Sequence, residues 1–541
     1  MSSINLENLT MPESTCYAYL FRNCYGLESV KLPKNATIIH SLIFDECYNL
    51  KNVDIPDTVT TIGFCAFQDC GIESITLPSS LTTIGEEAFG KCTDLESITI
   101  PDSVTIIDEG TFKGCTKLKN ITLSSSLTTI SKEAFCNCTE LESIIIPDSV
   151  ISIDEAAFKG CTKLKNIILP SLLTAIGSEA FSNCISLESI NIPDWVISIQ
   201  RKAFENCTSL KSITIPNSVT LIDMCVFENC ESLELIKLPE MITEIFYSAF
   251  EGCRSLKNIT LPDTVKAIGE HAFSECTSLE DIKIPESAKD IRCNAFSGCK
   301  KLTDITVPNG TLVICDSEFK NCESLKQVKL PDSVTKITNC AFSGCRSLKN
   351  ITLPNALISI GCYAFDECTS LESIEIPYGT TDIEYYAFHQ CKSLKSITLP
   401  NSLYYIGAHA FNNCESLEHI KLPDSIDKIY NNTFEGCSSL ECITIPDTIK
   451  SIGGYAFSEC TSLKNLEIPY GVTDIGCMAF YNCKNLKNIT IPTSLNYINS
   501  YAFSECESLE TVTIISDCTS KIIDVRELDL DTMDQWIFLY F

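Results

Sequence analysis

No stretch of this chain contains about 18 consecutive apolar residues, the length that a bilayer-spanning helix needs, so no transmembrane segment is expected. Positive charge is scarce. Lys and Arg number 40 against 70 Asp and Glu, a net charge of −30. A surface of that sign repels phosphate, which excludes an ordinary nucleic-acid binder and speaks equally against an anionic membrane surface. Residues Met1 to Pro12 show no basic segment followed by an apolar one, so no secretory leader is read there. The expected location is therefore the cytoplasm, with the cell surface by unconventional export as the alternative. Histidine is rare, with five in the chain, and tryptophan rarer, with two. No Cys-x-x-Cys, His-Glu-x-x-His or Gly-x-Ser-x-Gly occurs, so the usual marks of a zinc site or a hydrolase are missing. No carboxylate or thiol recurs beside the histidines at ligand or triad spacing. The sequence thus predicts no enzyme, no metal and no cofactor. Gly85 to Cys92 comes close to a phosphate-binding loop, but Cys92 stands where a hydroxyl would hold magnesium.

What the chain has in abundance is cysteine, 33 in all, and 22 of them are in phase. From Cys92 to Cys506 they recur every 23 residues without a break. Cys24, Cys47 and Cys70 extend the series backwards, with one 22-residue step between Cys70 and Cys92. A Phe precedes each by three residues, and a Leu follows each by three, except that Ile72 follows Cys70 by two. Proline recurs nine residues after the Cys in nearly every repeat, Ser124 and Ile515 being the exceptions and Pro78 coming at eight. Pro12 ends a degenerate copy that has Ser3 in place of Cys. The expected organisation is a degenerate N-terminal capping repeat over 1–23, one continuous array over 24–515, and a non-repeat C-terminal cap or tail over 516–541. In that tail Trp536 to Tyr540 would cover the last coil.

One repeat, counted from Cys92, places Cys92, Leu95, Ile98, Ile100, Val104 and Ile107 inward, with Phe89 and Pro101 completing the structural core. Ile98-Thr99-Ile100 alternates with period two and reads as a short strand. Pro101 lacks an N–H and ends the ladder, Asp102-Ser103 turns the chain, and Val104 to Ile107 reads as an extended or 3₁₀ segment. A 23-residue unit cannot bury so many apolar side chains alone, whereas stacked copies can. At about 4.8 Å per stacked strand, 22 coils would extend on the order of 100 Å. The phased cysteines would be buried reduced thiols, since free Cys packs as a small hydrophobe.

The pattern Cys-x-x-Leu-x-x-Ile-x-Ile-Pro-x-x-Val-x-x-Ile-Gly-x-x-Ala-Phe resembles the leucine-rich repeat of BspA-like surface antigens, also called the Treponema pallidum type. The resemblance implies a leucine-rich-repeat solenoid of short parallel strands. It also implies a role like that of relatives that act as surface antigens and bind matrix proteins or other cells. Pro stands where an Asn ladder is usual in leucine-rich repeats, so shallow curvature is expected.

Function then has to lie on outward positions. Four residues after the Cys the charge tends to alternate, as in Glu142, Lys165, Glu188, Lys211 and Glu234, which reads as registration between coils. Tyrosines gather late in the chain. Tyr378, Tyr385, Tyr404, Tyr405, Tyr430, Tyr470 and Tyr497 are the candidate partner-binding residues, because Tyr is favoured in interfaces. The function expected is a non-enzymatic protein-binding solenoid of the antigen or adhesin kind, the alternative being an intracellular scaffold for cytosolic partners. The net charge predicts partners with basic surfaces.

Overall fold

A computed structural model describes residues 2–8, 17–515 and 520–524. The chain forms two compact units, Met1–Thr277 and Ser278–Phe541. Both are built in the same way, each repeat making one turn of a solenoid with three sides. Among the described residues none is helical.

The first side is a short strand. In Ser97–Thr99 the central Ile98 is buried between two exposed residues, and the strand pairs in parallel with Asn120–Thr122, Ile98 opposite Ile121. Pro101 lies at the rim of the coil, half-buried rather than in the core. Its carbonyl accepts the Val104 N–H at 3.0 Å and turns the chain. The second side is a two-residue strand, Ile106–Ile107, in register with Thr129–Ile130. This side is therefore extended, and the 3₁₀ alternative is not used.

The third side is a ribbon of turns that the sequence pattern did not announce. From Gly177 to Cys184 alternate amides bond inward and onward. Ala180, Ser182 and Cys184 donate to carbonyls three residues back, Gly177, Glu179 and Phe181, at 3.0–3.2 Å. Glu179, Phe181 and Asn183 donate to Arg201, Ala203 and Glu205 of the next coil at 2.8–3.0 Å. The alternation requires two left-handed residues per coil, here Glu179 at φ 58° and Asn183 at φ 61°. Left-handed residues break any 3₁₀ run and cost a non-glycine residue roughly 1–2 kcal/mol each. Asn and Gly recur at the second of them for that reason. At Gly160, φ 73°, an added Cβ would also lie 2.2 Å from Asn137 Oδ1.

Inside the ribbon lie the phased aromatics and thiols. Consecutive Phe rings stack with planes nearly parallel, for instance Phe158 on Phe181 and Phe181 on Phe204, centroids 5.5 Å apart in both pairs. From Cys47 onward the phased thiols donate to the carbonyl of the Phe of the preceding coil, as Cys184 Sγ does to Phe158 O at 3.2 Å and Cys207 Sγ to Phe181 O at 3.2 Å. Burial pushes the Cys92 thiol up to about 12, so it stays protonated and able to donate.

The 22-residue repeat leaves a mark. The first-strand sheet stops at Asn52–Asp54, and on this side the short coil meets the next at an isolated bridge between Ser74 and Ser97 in place of a strand pair. The missing residue lies in the turn after Cys70, where Gly71 sits so close that a Cβ would be 2.2 Å from Tyr48 O. At the N-terminus the degenerate copy pairs in a register other than the one its Pro12 suggests. Ser3 aligns with Ser29 and Ile4 with Val30. The alternating Ile4 and Leu6 lie half-buried at the edge of the sheet, in place of Leu9 and Met11. Residues 9–16 lie outside the described set. At the other end Ser520–Asp524 adds an antiparallel strand to Thr511–Ile515, and Trp536 to Tyr540 lie outside the described residues.

Phe181→Ala removes two ring stacks and empties a fully enclosed site. It is expected to lower stability by roughly 3–5 kcal/mol, read as a shift of the urea midpoint with little change in slope.

Candidate protein-binding surface

Interior positions are dictated by stacking, so recognition is carried by the outward ones. The alternating charges do pair between coils, as in Lys211–Glu188 at 2.8 Å and Lys464–Glu441 at 3.2 Å. These pairs are exposed and contribute registration more than stability.

The structure brings together three of the seven singled-out tyrosines. Tyr405 meets Tyr385 edge-on at 6.2 Å and Tyr430 edge-on at 5.3 Å. The Lys428 ammonium lies 5.0 Å from the centre of the Tyr430 ring. Burial and the contact with Tyr385 push the Tyr405 hydroxyl well above its ordinary range. Tyr378, Tyr404, Tyr470 and Tyr497 are also exposed; Tyr404 precedes Tyr405 in the chain, Tyr378 lies in the coil of Tyr385, and Tyr497 holds the Tyr405 position four coils later. Three of the seven thus form one ring cluster across successive coils. Next to the cluster, His409 stacks on Tyr386 at 4.2 Å, and burial lowers its affinity for a proton. His389 Nδ1 lies 2.7 Å from Asp366 Oδ1. Among the described residues no group of three His, Cys, Asp or Glu side chains is placed to hold a metal.

A more concentrated apolar surface lies in the first unit, on coils that the tyrosine count passed over. Ile145 and Ile168 face each other across paired strands, and they are 73% and 67% exposed. At the adjoining proline turn Leu172 and Trp195 occupy equivalent positions of successive coils, Trp195 being 70% exposed. In most other coils that turn position is held by Ser or Thr with a structural task, the exceptions being Asn35, Met241, Gly310, Ala356, Gly379 and Gly471. Ser149 Oγ donates to Leu127 O and Thr264 Oγ1 to Ile242 O, both at 2.6 Å. Leu172 and Trp195 give up that bond and place a large apolar group in water, which stacking does not require. The signal was present in the repeat alignment, as Ile where Thr is common and Leu or Trp where Ser is common.

A second feature belongs to the short coil. An uncharged groove of about 520 Å³ runs beside it, lined by Ser74, Thr76, Ser97, Thr99, Asn120 and Thr122.

The profile described as BspA type Leucine rich repeat region (6 copies) matches residues 14–138, 82–211, 197–326, 312–441 and 427–524. The chain belongs to the BspA-type leucine-rich repeat family. A leucine-rich repeat protein from Bacteroides ovatus is 33% identical over 68% of this chain and 86% of its own, with a TM-score of 0.50. A leucine rich cell surface protein from Faecalibacterium prausnitzii is 28% identical over 72% of this chain and 83% of its own, TM-score 0.29. A T. pallidum leucine-rich repeat protein is 29% identical over 38% of this chain and 83% of its own, TM-score 0.28. No curated protein matches. No described helix of this BspA-type chain is long and apolar enough to cross a membrane.

One buried group in the BspA-type corner stands apart. Glu318 occupies the position that is Ala in most repeats and is wholly buried. Its Oε2 accepts the Cys315 N–H at 2.8 Å, while Oε1 has no partner. Burial pushes its carboxyl up to about 8 from 4.5. Between those two values the unfolded chain has released a proton that the folded chain keeps, so stability falls as pH rises through this window. Glu318→Ala is expected to stabilise the second unit by up to about 5 kcal/mol at pH 9, since each tenfold change in proton affinity is worth about 1.4 kcal/mol. The gain should be much smaller at pH 4, read from denaturant melts at both values.

Proposed function

We propose that the chain is a non-enzymatic protein-binding solenoid acting as a surface antigen or adhesin, whose partners are matrix or other host proteins with basic surfaces. The observation that carries this reading is the exposed apolar corner formed by Ile145, Ile168, Leu172 and Trp195. Trp is the residue type most enriched among binding hot spots, and here it stands in water at the expense of a turn hydrogen bond. The acidic net charge of −30 supports the partner's sign and predicts association rates that fall with salt. Membership of the BspA-type family supports a protein-interaction role. The Tyr385, Tyr405 and Tyr430 cluster is a second contact in this reading, with Tyr378, Tyr404, Tyr470 and Tyr497 as outlying ones.

A second reading, an intracellular scaffold of the same fold, is favoured by one observation. All 31 described cysteines are free thiols, the state that a reducing compartment maintains. Antibody staining of intact against permeabilised cells separates the two.

Binding to immobilised extracellular-matrix proteins tests the surface itself. The double variant Trp195→Ser with Ile168→Thr restores residues common at these positions in other repeats, so the fold is retained. Binding is expected to weaken at least tenfold, with an unchanged melting temperature. Unchanged binding would contradict the assignment of this corner. Tyr404→Ala with Tyr405→Ala tests the tyrosine contact by the same assay, with a loss of about threefold or more expected.

A further inference from the structure

Position by position, the outer row of the first strand is conservative in chemistry. Five residues after the phased Cys the second unit carries Asp304, Gln327, Asn350, Ser373, Ser396, Asn465 and Asn488. Two adjacent coils depart from this, one with His419 and the next with Cys442. Strands His419–Lys421 and Cys442–Thr444 are paired in parallel with His419 directly opposite Cys442. The contact is therefore held by a sheet ladder and not by a loop. His419 Nδ1 lies 3.2 Å from Cys442 Sγ, and both side chains are exposed.

Cys442 differs in environment from every other described thiol. From Cys47 onward the phased thiols are buried and tied to Phe carbonyls, and Cys24 is half-buried. The unphased ones are buried or half-buried, and Cys442 alone among the described cysteines is exposed. A nucleophile and a base thus replace two inert polar residues at the same register position of neighbouring coils. Neither replacement serves the core.

We infer that Cys442 and His419 form a thiol–imidazole modification site on the first-strand face of the second unit, which reacts with low-molecular-weight disulfides. In the reaction the Cys442 thiol proton passes to His419 Nδ1, and the thiolate attacks one sulfur of the reagent. A new bond joins Sγ to that sulfur, and the reagent's own S–S bond breaks. The departing sulfur leaves as a thiolate and takes up the proton. Cys442 is oxidised to a mixed disulfide, one half of the reagent is reduced to a thiol, and no further oxidant is needed. The added group lies on the outward face of the strand, among Lys421, Thr444 and Glu467, where it would alter what that face can contact. The site is independent of the Trp195 corner, which belongs to the other unit.

The test uses the full native chain and 2,2′-dithiodipyridine, a neutral disulfide whose attack is not biased by the acidic surface. Release of 2-thiopyridone is followed by absorbance. One thiol per chain is expected to react at least tenfold faster than any other. Cys442→Ser, which installs the residue present at Ser373 and Ser396, is expected to abolish that phase. His419→Gln is expected to slow it at least tenfold while leaving its amplitude at one. Both variants should melt as the parent chain does. The inference is overturned by absence of a fast phase, by its survival in Cys442→Ser, or by an unchanged rate in His419→Gln. Peptide mapping of the modified protein gives a second readout: the adduct must fall on Cys442.

Discussion

Each coil is fastened to the next by the short segment from the left-handed residue before Ala-Phe to the phased Cys. Three amides of that segment cross to the next coil, the Phe ring stacks on its neighbours, and the thiol donates a hydrogen bond back to the previous coil's Phe carbonyl. Within each unit this corner runs without interruption. In the first unit the Phe amide bonds onward from Phe21 to Phe250, and in the second from Phe296 to Phe480. The two strand ladders do not match it. The first-strand sheet breaks after Asn52–Asp54 and again after Asn120–Thr122, and the second-strand ladder breaks after Thr83–Ile84. The corner is the continuous element, and the strands are laid out by it.

That dependence explains why cysteine and not alanine recurs at this position. A buried carbonyl with one bond from its own coil has a second lone pair to satisfy. A thiol fills the space of a small hydrophobe and supplies a weak donor to it. The price of the geometry is the two left-handed residues per coil, tolerated because three cross-coil hydrogen bonds depend on them. Reduced cysteine is therefore part of how the fold closes. Because stacking claims the interior of every coil, recognition is confined to outward positions where a repeat departs from its neighbours. Ile145, Trp195, His419 and Cys442 are such departures.

Most of the architecture was legible in the sequence because the repeat declares it. The period fixed the coil, the Phe and Cys phases its core, and the alternation around Ile98 its first strand. The ribbon was not legible. The first of its left-handed residues is Tyr, Glu, Cys, His or Ala as readily as Asn or Gly, so composition marks only the second. Pro12 misled in another way. It copies the repeat's punctuation, yet the pairing strand is Ser3–Asn5, five residues upstream of where that proline puts it. The candidate surface was legible only in part. Counting tyrosines favoured the second unit, where three of seven converge. The Trp195 corner could be found only by asking which outward residues break the repeat without helping the core. The His419–Cys442 pair is visible by the same question, and Glu318 by asking which inward residue breaks the repeat.

Native-state hydrogen exchange tests the central claim most directly. If the corner fastens the solenoid, amides of the phased Phe and of the left-handed residues flanking it exchange more slowly than first-strand amides of the same coils. The difference should be largest at coils Cys47 to Cys92, where the sheet is interrupted. Slow exchange confined to the strands, with the corner amides open at the rate of exposed turns, would contradict the account.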